Sequence, residues 1–591
     1  SAGGGVWPRT AKSVPVSAPM RTALGLADDV EALSPAELVR AVLLAPVAAA
    51  LALAPGTTAL TPLQLMHAIL VADVDLLWNG GIGTYVKASG ETHADVGDKG
   101  NDAIRVNGSE LRVRVVGEGG NLGFTQLGRI EYSLAGGHIN TDAIDNSAGV
   151  DTSDHEVNIK ILLDQIVREG DLDVEQRNAL LADMTDEVAR HVLQHNYEQN
   201  VLLGNARLQA PAMLSVHQRF IAWLEENGGL DRQLEFLPSS SVMDQRHSAG
   251  LGLTSSELAV VAAYSKITLT ATILDSSLPD EPWYAGALRR YFPGPLVQRF
   301  DDRLERHPLR REIITTWVSN DLVNRGGTTF VFRAQEETGA SPLQIARAYT
   351  LVREVYRLDD LWAAIEALDN QLPTATQSIL YLEGRRLLDR CTRWILQGRQ
   401  ASIDVAAEVA RFRPDVDRLI GQIPDLLVGA EQERLRSRAA EFSGLAVPED
   451  LALRIAGLLD SFSLLDVVEI AAAVKLPAEE VAEVYFAISE RIEVDRMLTR
   501  ITALPRDDRW TALARSALRY DLYAALAGLT TNVLTSTDSQ LPAMARIEAW
   551  EDANREGVTR AQGTLEEIVS SDHFDLATLS VALRTIRTLL R

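Results

Sequence analysis

Four glycines and an asparagine fall together in Gly117-Glu118-Gly119-Gly120-Asn121-Leu122-Gly123-Phe124-Thr125, directly after the alternating run Leu111 to Val116. A second small-residue segment, Thr141-Asp142-Ala143-Ile144-Asp145-Asn146-Ser147-Ala148-Gly149-Val150-Asp151-Thr152-Ser153-Asp154-His155-Glu156, leads into a helical pattern. So many residues without side chains are needed where a backbone must approach a flat ligand closely. The two segments therefore read as a binding site and not as a hinge. A third loop, Trp78-Asn79-Gly80-Gly81-Ile82-Gly83, follows the apolar run Val74 to Leu77. Ligands bind outside the carboxyl ends of strands in α/β sheets, so this loop is placed to flank the same ligand, or else it is a structural turn.

Several chemistries compete for these residues. Gly117 to Gly123, as Gly-x-Gly-Gly-x-x-Gly after a strand, is the pattern of a phosphate-binding turn at a helix start. Against that, Phe124 to Leu134 is short and uneven for a crossover helix, and no clear second parallel strand with a terminal acid follows. A plain tight turn is the third possibility. Ser153 with Glu156 fits a helix N-cap and capping box, a role compatible with ligand binding. His191 and His195 share a helix face, but no adjacent glutamate or evident third ligand completes a metal motif, so the expectation is packed or solvated histidines and no metal. No Gly-x-Ser-x-Gly elbow occurs.

At 591 residues and 46% hydrophobic content the chain holds more than one core. A net charge of −24 opposes binding to nucleic acid or to an anionic membrane surface. The apolar run Ala41 to Ala54 is broken by Pro46 and is shorter than the roughly 20 residues that span a bilayer, so no transmembrane helix is expected. The one cysteine, Cys391, lies in a helical pattern, makes no internal disulfide and fits a reducing compartment such as the cytoplasm. Trp317, Trp362 and Trp394 sit at packing spacings.

Residues 1 to about 155 mix β-rich runs, glycine loops and short helices. From Glu156 onward helical spacing dominates, as at Ile159, Leu162, Leu163 and Ile166. Capping boxes mark helix starts at Ser34-Pro35-Ala36-Glu37, Thr61-Pro62-Leu63-Gln64, Thr254-Ser255-Ser256-Glu257 and Ser341-Pro342-Leu343-Gln344, three of them with proline at the first helical position. Leu33 to Val47 matches Leu60 to Val74 at about half its positions and reads as a duplicated helix and strand entry.

Together these motifs resemble the nicotinamide and substrate side of glutamate dehydrogenases, which carry a Glu-Gly-Ala-Asn loop and a later Asn-Ala-Gly-Gly-Val segment before a Ser-x-x-Glu. The likeness is closest to the large bacterial NAD-specific members. Asp75-Leu76-Leu77-Trp78-Asn79-Gly80-Gly81-Ile82-Gly83-Thr84-Tyr85-Val86-Lys87, Gly97 to Val106, His307 to Ile314 and Val318 to Phe330 are similar to theirs, so the resemblance spans nearly the whole chain. It departs from the common pattern at Gly123-Phe124 and at Val157, and the similar enzymes pass only once through the duplicated unit.

The resemblance implies an incomplete α/β Rossmann-like portion followed by a large all-α C-terminal region. The implied domains are 1–155, the later part of a dinucleotide-binding domain; 156–237, a helical return segment; and 238–591, an all-helical domain. It implies an NAD-dependent oxidoreductase of amino-acid catabolism, active in glutamate metabolism and converting L-glutamate to 2-oxoglutarate and ammonia. Asn146, Gly149, Val150 and Ser153 would contact substrate. Gly119, Gly120, Asn121, Asn79, Gly80 and Gly81 would contact the cofactor, NAD. The chain begins at Ser1 without methionine or signal features and reads as a cut, with the lysine and aspartate acid-base groups expected upstream. Lys12 reads as a surface or phosphate-proximal charge. A cytoplasmic homo-oligomer with small-molecule ligands, and neither nucleic acid nor membrane as partner, completes the expectation. Two alternatives stay open: a dehydrogenase of another amino acid, and a helical oligomerisation or regulatory scaffold with a non-catalytic α/β remnant.

Overall fold

The computed structural model describes residues 60–398, 403–504, 508–571 and 574–590, with short pieces between 14 and 57. The first copy of the repeat beyond Ser34, including its capping box, lies outside the described residues, as does Lys12. The chain divides into two compact units, residues 1–203 with 230–263 and residues 204–229 with 264–591.

In the first unit, four short strands lie near the glycine loops: β1 (Leu76–Asn79), β2 (Val86–Lys87), β3 (Val106–Asn107) and β4 (Val115–Glu118), apart from a short antiparallel pair at Val14–Pro15 and Ala32–Leu33. β1 pairs in parallel with β4, from Leu76 opposite Val115 to Asn79 opposite Glu118, and β2 pairs in parallel with β3. Because β1 and β4 run the same way, the glycine loops that follow them leave from the same end of the pair. A core of Val86, Val106, Val113, Val116, Phe124, Tyr132 and Ile139 packs beneath.

The second copy of the repeat forms α1 (Pro62–Leu70), started by the expected capping box of Thr61 and Gln64. After β4, α2 (Gln126–Leu134) forms despite its short, uneven pattern. Thr125 caps it by accepting from the Gly128 amide, and Ile130 and Tyr132 are buried. The chain then returns to a parallel bridge between His138 and Val115. A minimal parallel crossover thus exists where the sequence pattern argued against one: burial of a few residues outweighs weak periodicity. Two long helices follow, α3 (Ser147–Glu169) and α4 (Thr185–Gln209).

The capping box at Thr254 forms and is buried, with Glu257 also paired to Arg246 at 2.6 Å. It opens α5 (Ser255–Leu274), a helix long and apolar enough to cross a membrane by length and composition alone.

Among its described residues the second unit contains helices and no strand. The Ser341 capping box is formed. Val318 to Phe330, one of the segments that carried the family resemblance, contains a π-helical turn at Leu322–Gly326. Such a turn frees carbonyl groups, and Arg385 satisfies two of them by donating to the Arg325 and Asn324 oxygens at 2.9 and 3.1 Å. Arg385 lies on α6 (Thr374–Gly398), as do buried Cys391 and Trp394, which donates to Asp466. Trp362 is buried, while Trp317 is half-buried beneath the guanidinium groups of Arg290 and Arg353. A later long helix, α7 (Arg509–Ser536), packs Leu522, Leu526 and Val533 into the core.

Candidate functional site

The loop after β4 is held by its own polar atoms. Glu118 is fully buried and takes both Nε and Nη2 of Arg129, at 2.7 and 3.0 Å. It also accepts the Phe124 amide at 3.1 Å. An anion-accepting position at the turn is therefore filled by the protein's own carboxylate, which removes the structural basis for a phosphate-binding turn here. Burial pushes the Glu118 carboxyl above its ordinary pKa, and the adjacent Arg129 charge opposes that rise.

The Thr141 to Ser147 segment closes on this loop. Asp145 accepts the Glu118 amide at 2.9 Å, and Asp142 accepts the Leu122 amide at 2.8 Å while lying 3.1 Å from Arg129. Burial raises the Asp145 pKa as well. The Gly120 amide donates to the Asn79 carbonyl at 2.8 Å, tying the loop after β4 to the loop after β1. At the surface the Asn146 side-chain amide donates to Asn121 Oδ1 at 2.6 Å. Asn79, Gly119, Gly120, Asn121 and Asn146 are thus brought together.

The glycines have a different cause from the one the sequence pattern implies. A Cβ at Gly117 or Gly119 would meet the Trp78 indole at 2.7 or 2.4 Å, and one at Gly120 would meet the Gly81 carbonyl oxygen at 2.4 Å. The flat group that demands small residues is Trp78 of the neighbouring strand. Gly81 has open space instead: a Cβ there would meet nothing within 4 Å. Ile82 and Trp78 are exposed beside it, and Asn79 Nδ2 is buried without a hydrogen-bond partner among the described residues. A cavity of about 230 Å³ opens here, lined by Trp78, Asn79, Gly80, Tyr85 and Ile104 among others.

Ser153 is not a helix cap. α3 starts at Ser147, so Ser153 lies inside its second turn, where its hydroxyl donates to the Val150 carbonyl at 2.8 Å, and Glu156 pairs with Lys160 instead of closing a capping box. Helix propagation from Ser147 overrode the local Ser-x-x-Glu signal. Ser153 and Val150 are exposed, and the Gly149 Cβ position faces Asn146 Oδ1 at 3.1 Å.

The sequence reading missed the supports of this segment. On α4, Asn196 donates to the Ile144 carbonyl and to Ser147 Oγ at 2.8 and 2.9 Å, and Asn200 accepts from Asn140 at 2.8 Å. Two asparagines four residues apart inside a long helix, where their propensity is poor, were the available signal. It also missed a cluster of Asp151, His155 and His195. His195 Nδ1 lies 2.7 Å from Asp151, and burial pushes the His155 imidazole well below its ordinary pKa.

An amide-lined rim over an apolar floor lies at the carboxyl ends of the parallel strands, where α/β sheets hold small ligands. A family profile described as glutamate dehydrogenase, C-terminal, matches residues 250–588, and the profile of the bacterial NAD-glutamate dehydrogenase catalytic domain matches residues 1–57 and 47–206. The chain belongs to the bacterial NAD-glutamate dehydrogenase family. Its relatives include the NAD-specific glutamate dehydrogenases of Mycobacterium tuberculosis, 44% identical over all of this chain and 35% of that protein, and Pseudomonas aeruginosa, 42% identical over all of this chain and 35% of that protein. The enzyme of the same name from Halomonas elongata is 40% identical over 99% of this chain and 34% of that protein. The chain therefore spans about a third of the length of these curated relatives. The two catalytic-domain matches overlap at residues 47–57, between the two copies of the repeat, where a single passage through the unit would give one unbroken match.

Proposed function

We propose that this chain carries the nicotinamide and substrate side of an NAD-dependent glutamate dehydrogenase that converts L-glutamate to 2-oxoglutarate and ammonia. The observation that carries the reading is the contact between Asn146 and Asn121, which joins the two motifs of the family resemblance into one amide-lined surface. The family and the names of the relatives support the chemistry. The short parallel strands belong, on this reading, to a Rossmann-like portion at residues 1–155, followed by a helical return segment at 156–237 and an all-helical domain at 238–591.

The site fits a nicotinamide. Asn79, Asn121 and Asn146 offer amide donors and acceptors for a carboxamide, Trp78 and Ile82 offer apolar surface, and open space at Gly81 admits a ring edge. When bound, NAD supplies the hydride acceptor. The chain's own residues orient the reactants. Asn146, Gly149 and Val150 line the amino-acid side, and the Ser153 hydroxyl turns from the Val150 carbonyl to donate to the distal carboxylate of glutamate. A site built for that carboxylate discriminates against leucine, whose side chain would leave the donor unpaired. The acid-base residues are assigned to sequence outside this chain.

The negative net charge and lone buried Cys391 support a cytoplasmic enzyme acting on small molecules, without nucleic acid or membrane as partner, and α5 is read as a core helix because Glu257 within it forms a buried ion pair. The leucine-rich helices support a homo-oligomer. The test is glutamate-dependent NADH formation by the chain extended to the length of its relatives, with leucine and NADP as controls. Activity restricted to glutamate and NAD is expected; equal activity with leucine overturns the substrate assignment.

A further inference from the structure

We propose that Asp151, His155 and His195, with His191 beside them, form a binding site for one divalent transition-metal ion of the zinc class between α3 and α4. The site is independent of the glutamate dehydrogenase reading. Asp151 and His155 are four residues apart on α3, and His191 and His195 are four residues apart on α4, so each helix presents one turn-spaced pair of ligand-type side chains. That spacing puts both members of a pair on one helix face.

The two faces meet. One ligand atom from each of Asp151, His155 and His195 lies within 4.8 Å of the others. Asp151 Oδ2 is 2.7 Å from His195 Nδ1, and Asp151 Oδ1 is 3.8 Å from His155 Nε2. A tetrahedral zinc ion with bonds of about 2.0–2.1 Å places its ligand atoms roughly 3.3 Å apart and the centres of two ligating imidazoles roughly 5 Å apart. The His155 ring centre lies 5.6 Å from that of His195 and 5.9 Å from that of His191. Changes in spacing of a few tenths of an ångström to about 1.5 Å, within reach of rotamer adjustment, therefore bring the three to coordination distance.

Burial favours the same conclusion. His155 is fully buried, while Asp151 and His195 are partly exposed, with side-chain exposures of 26% and 39%. An ion reaches the cluster from the Asp151 and His195 side, and His155 forms its floor. Imidazole nitrogen with one carboxylate selects zinc, cobalt or nickel over magnesium or calcium, which take oxygen. His191 is the candidate fourth ligand, with water filling that position otherwise. The ion would pin α3 to α4 near the start of α3.

The competing account is a hydrogen-bonded Asp151–His195 pair with a packed His155 and no affinity for metal. The 591-residue chain, prepared without a histidine tag, is equilibrated with zinc or cobalt chloride, passed through gel filtration and analysed for metal, with circular dichroism to verify folding. The expected result is about one ion per chain, visible d–d bands of four-coordinate cobalt, and a fall of about tenfold or more in bound metal for His195→Gln and Asp151→Asn. His247→Gln, at an exposed histidine elsewhere, should keep the wild-type content. Folded wild-type chain that elutes without metal overturns the proposal, as does metal retained equally by the folded His195→Gln and Asp151→Asn variants. If both variants misfold, the wild-type cobalt spectrum decides: four-coordinate bands support the site, and octahedral aqua-like bands refute it.

Discussion

Replacing Arg129 with leucine should loosen the glycine loop more than any other single change near it. Arg129 and Glu118 are both buried and share two hydrogen bonds, and the same guanidinium faces Asp142 at 3.1 Å. Removing one partner of a buried pair leaves an uncompensated charge and costs about 3–5 kcal/mol. At 1.36 kcal/mol per decade, that corresponds to a protection loss of roughly 10² to 10⁴ in amide exchange. Hydrogen exchange of residues 115–134 is the suitable assay, because a chain of two units does not unfold in one step. The pH dependence has a definite sign. Glu118 has a raised folded pKa, so its contribution to stability is fully present below the ordinary carboxyl pKa and is lost as pH rises through the folded value. The Arg129→Leu deficit should therefore be largest near neutrality and shrink in acid, and Glu118→Gln added to Arg129→Leu should recover at least half of it. Exchange within about tenfold of wild type, or no recovery in the double variant, would show that the buried pair does not hold the loop.

Three further outcomes are expected. Gly119→Ala forces a methyl into Trp78, and Gly81→Ala puts one into the open space assigned to the ring edge, so each should lower NAD affinity measured by isothermal titration in the extended chain; unchanged affinity in Gly81→Ala counts against that ring position. In the second unit, burial raises the Asp466 pKa to about 7, although Trp394 and Tyr485 donate to it. Stability from this group is present below the ordinary aspartate range and lost as pH rises through about 7, so amide-exchange protection of Leu464–Val474 should fall between pH 5 and 8 and Asp466→Asn should flatten that fall; an unchanged slope in the variant counts against it. Cys391 is fully buried with its thiol pKa raised by desolvation, so it should react with a thiol reagent only as the second unit unfolds.

Local chemistry was the legible part of the sequence. The Thr61, Thr254 and Ser341 capping boxes form because each depends on residues three apart. The glycine loops fall at the ends of β1 and β4, although the strands lie a little further along the chain than the apolar runs indicate. What sequence could not show depends on distant partners. Trp78 is the reason for Gly117 and Gly119 some forty residues later, and Glu118 takes up the anion position that a Gly-rich turn would offer a phosphate. Ser153 loses its capping role because α3 begins at Ser147, where Asn196 reaches over from α4. His195 found its partners on another helix, beyond any spacing rule.

The decisive experiment is a structure of the chain, extended to the length of its relatives, with NAD and 2-oxoglutarate bound. The nicotinamide ring is expected within about 4 Å of Asn121 and Asn146, with the distal carboxylate of 2-oxoglutarate hydrogen-bonded to Ser153. A ring bound away from both asparagines, with Ser153 still donating to Val150, would contradict the assignment of this surface to nicotinamide and substrate.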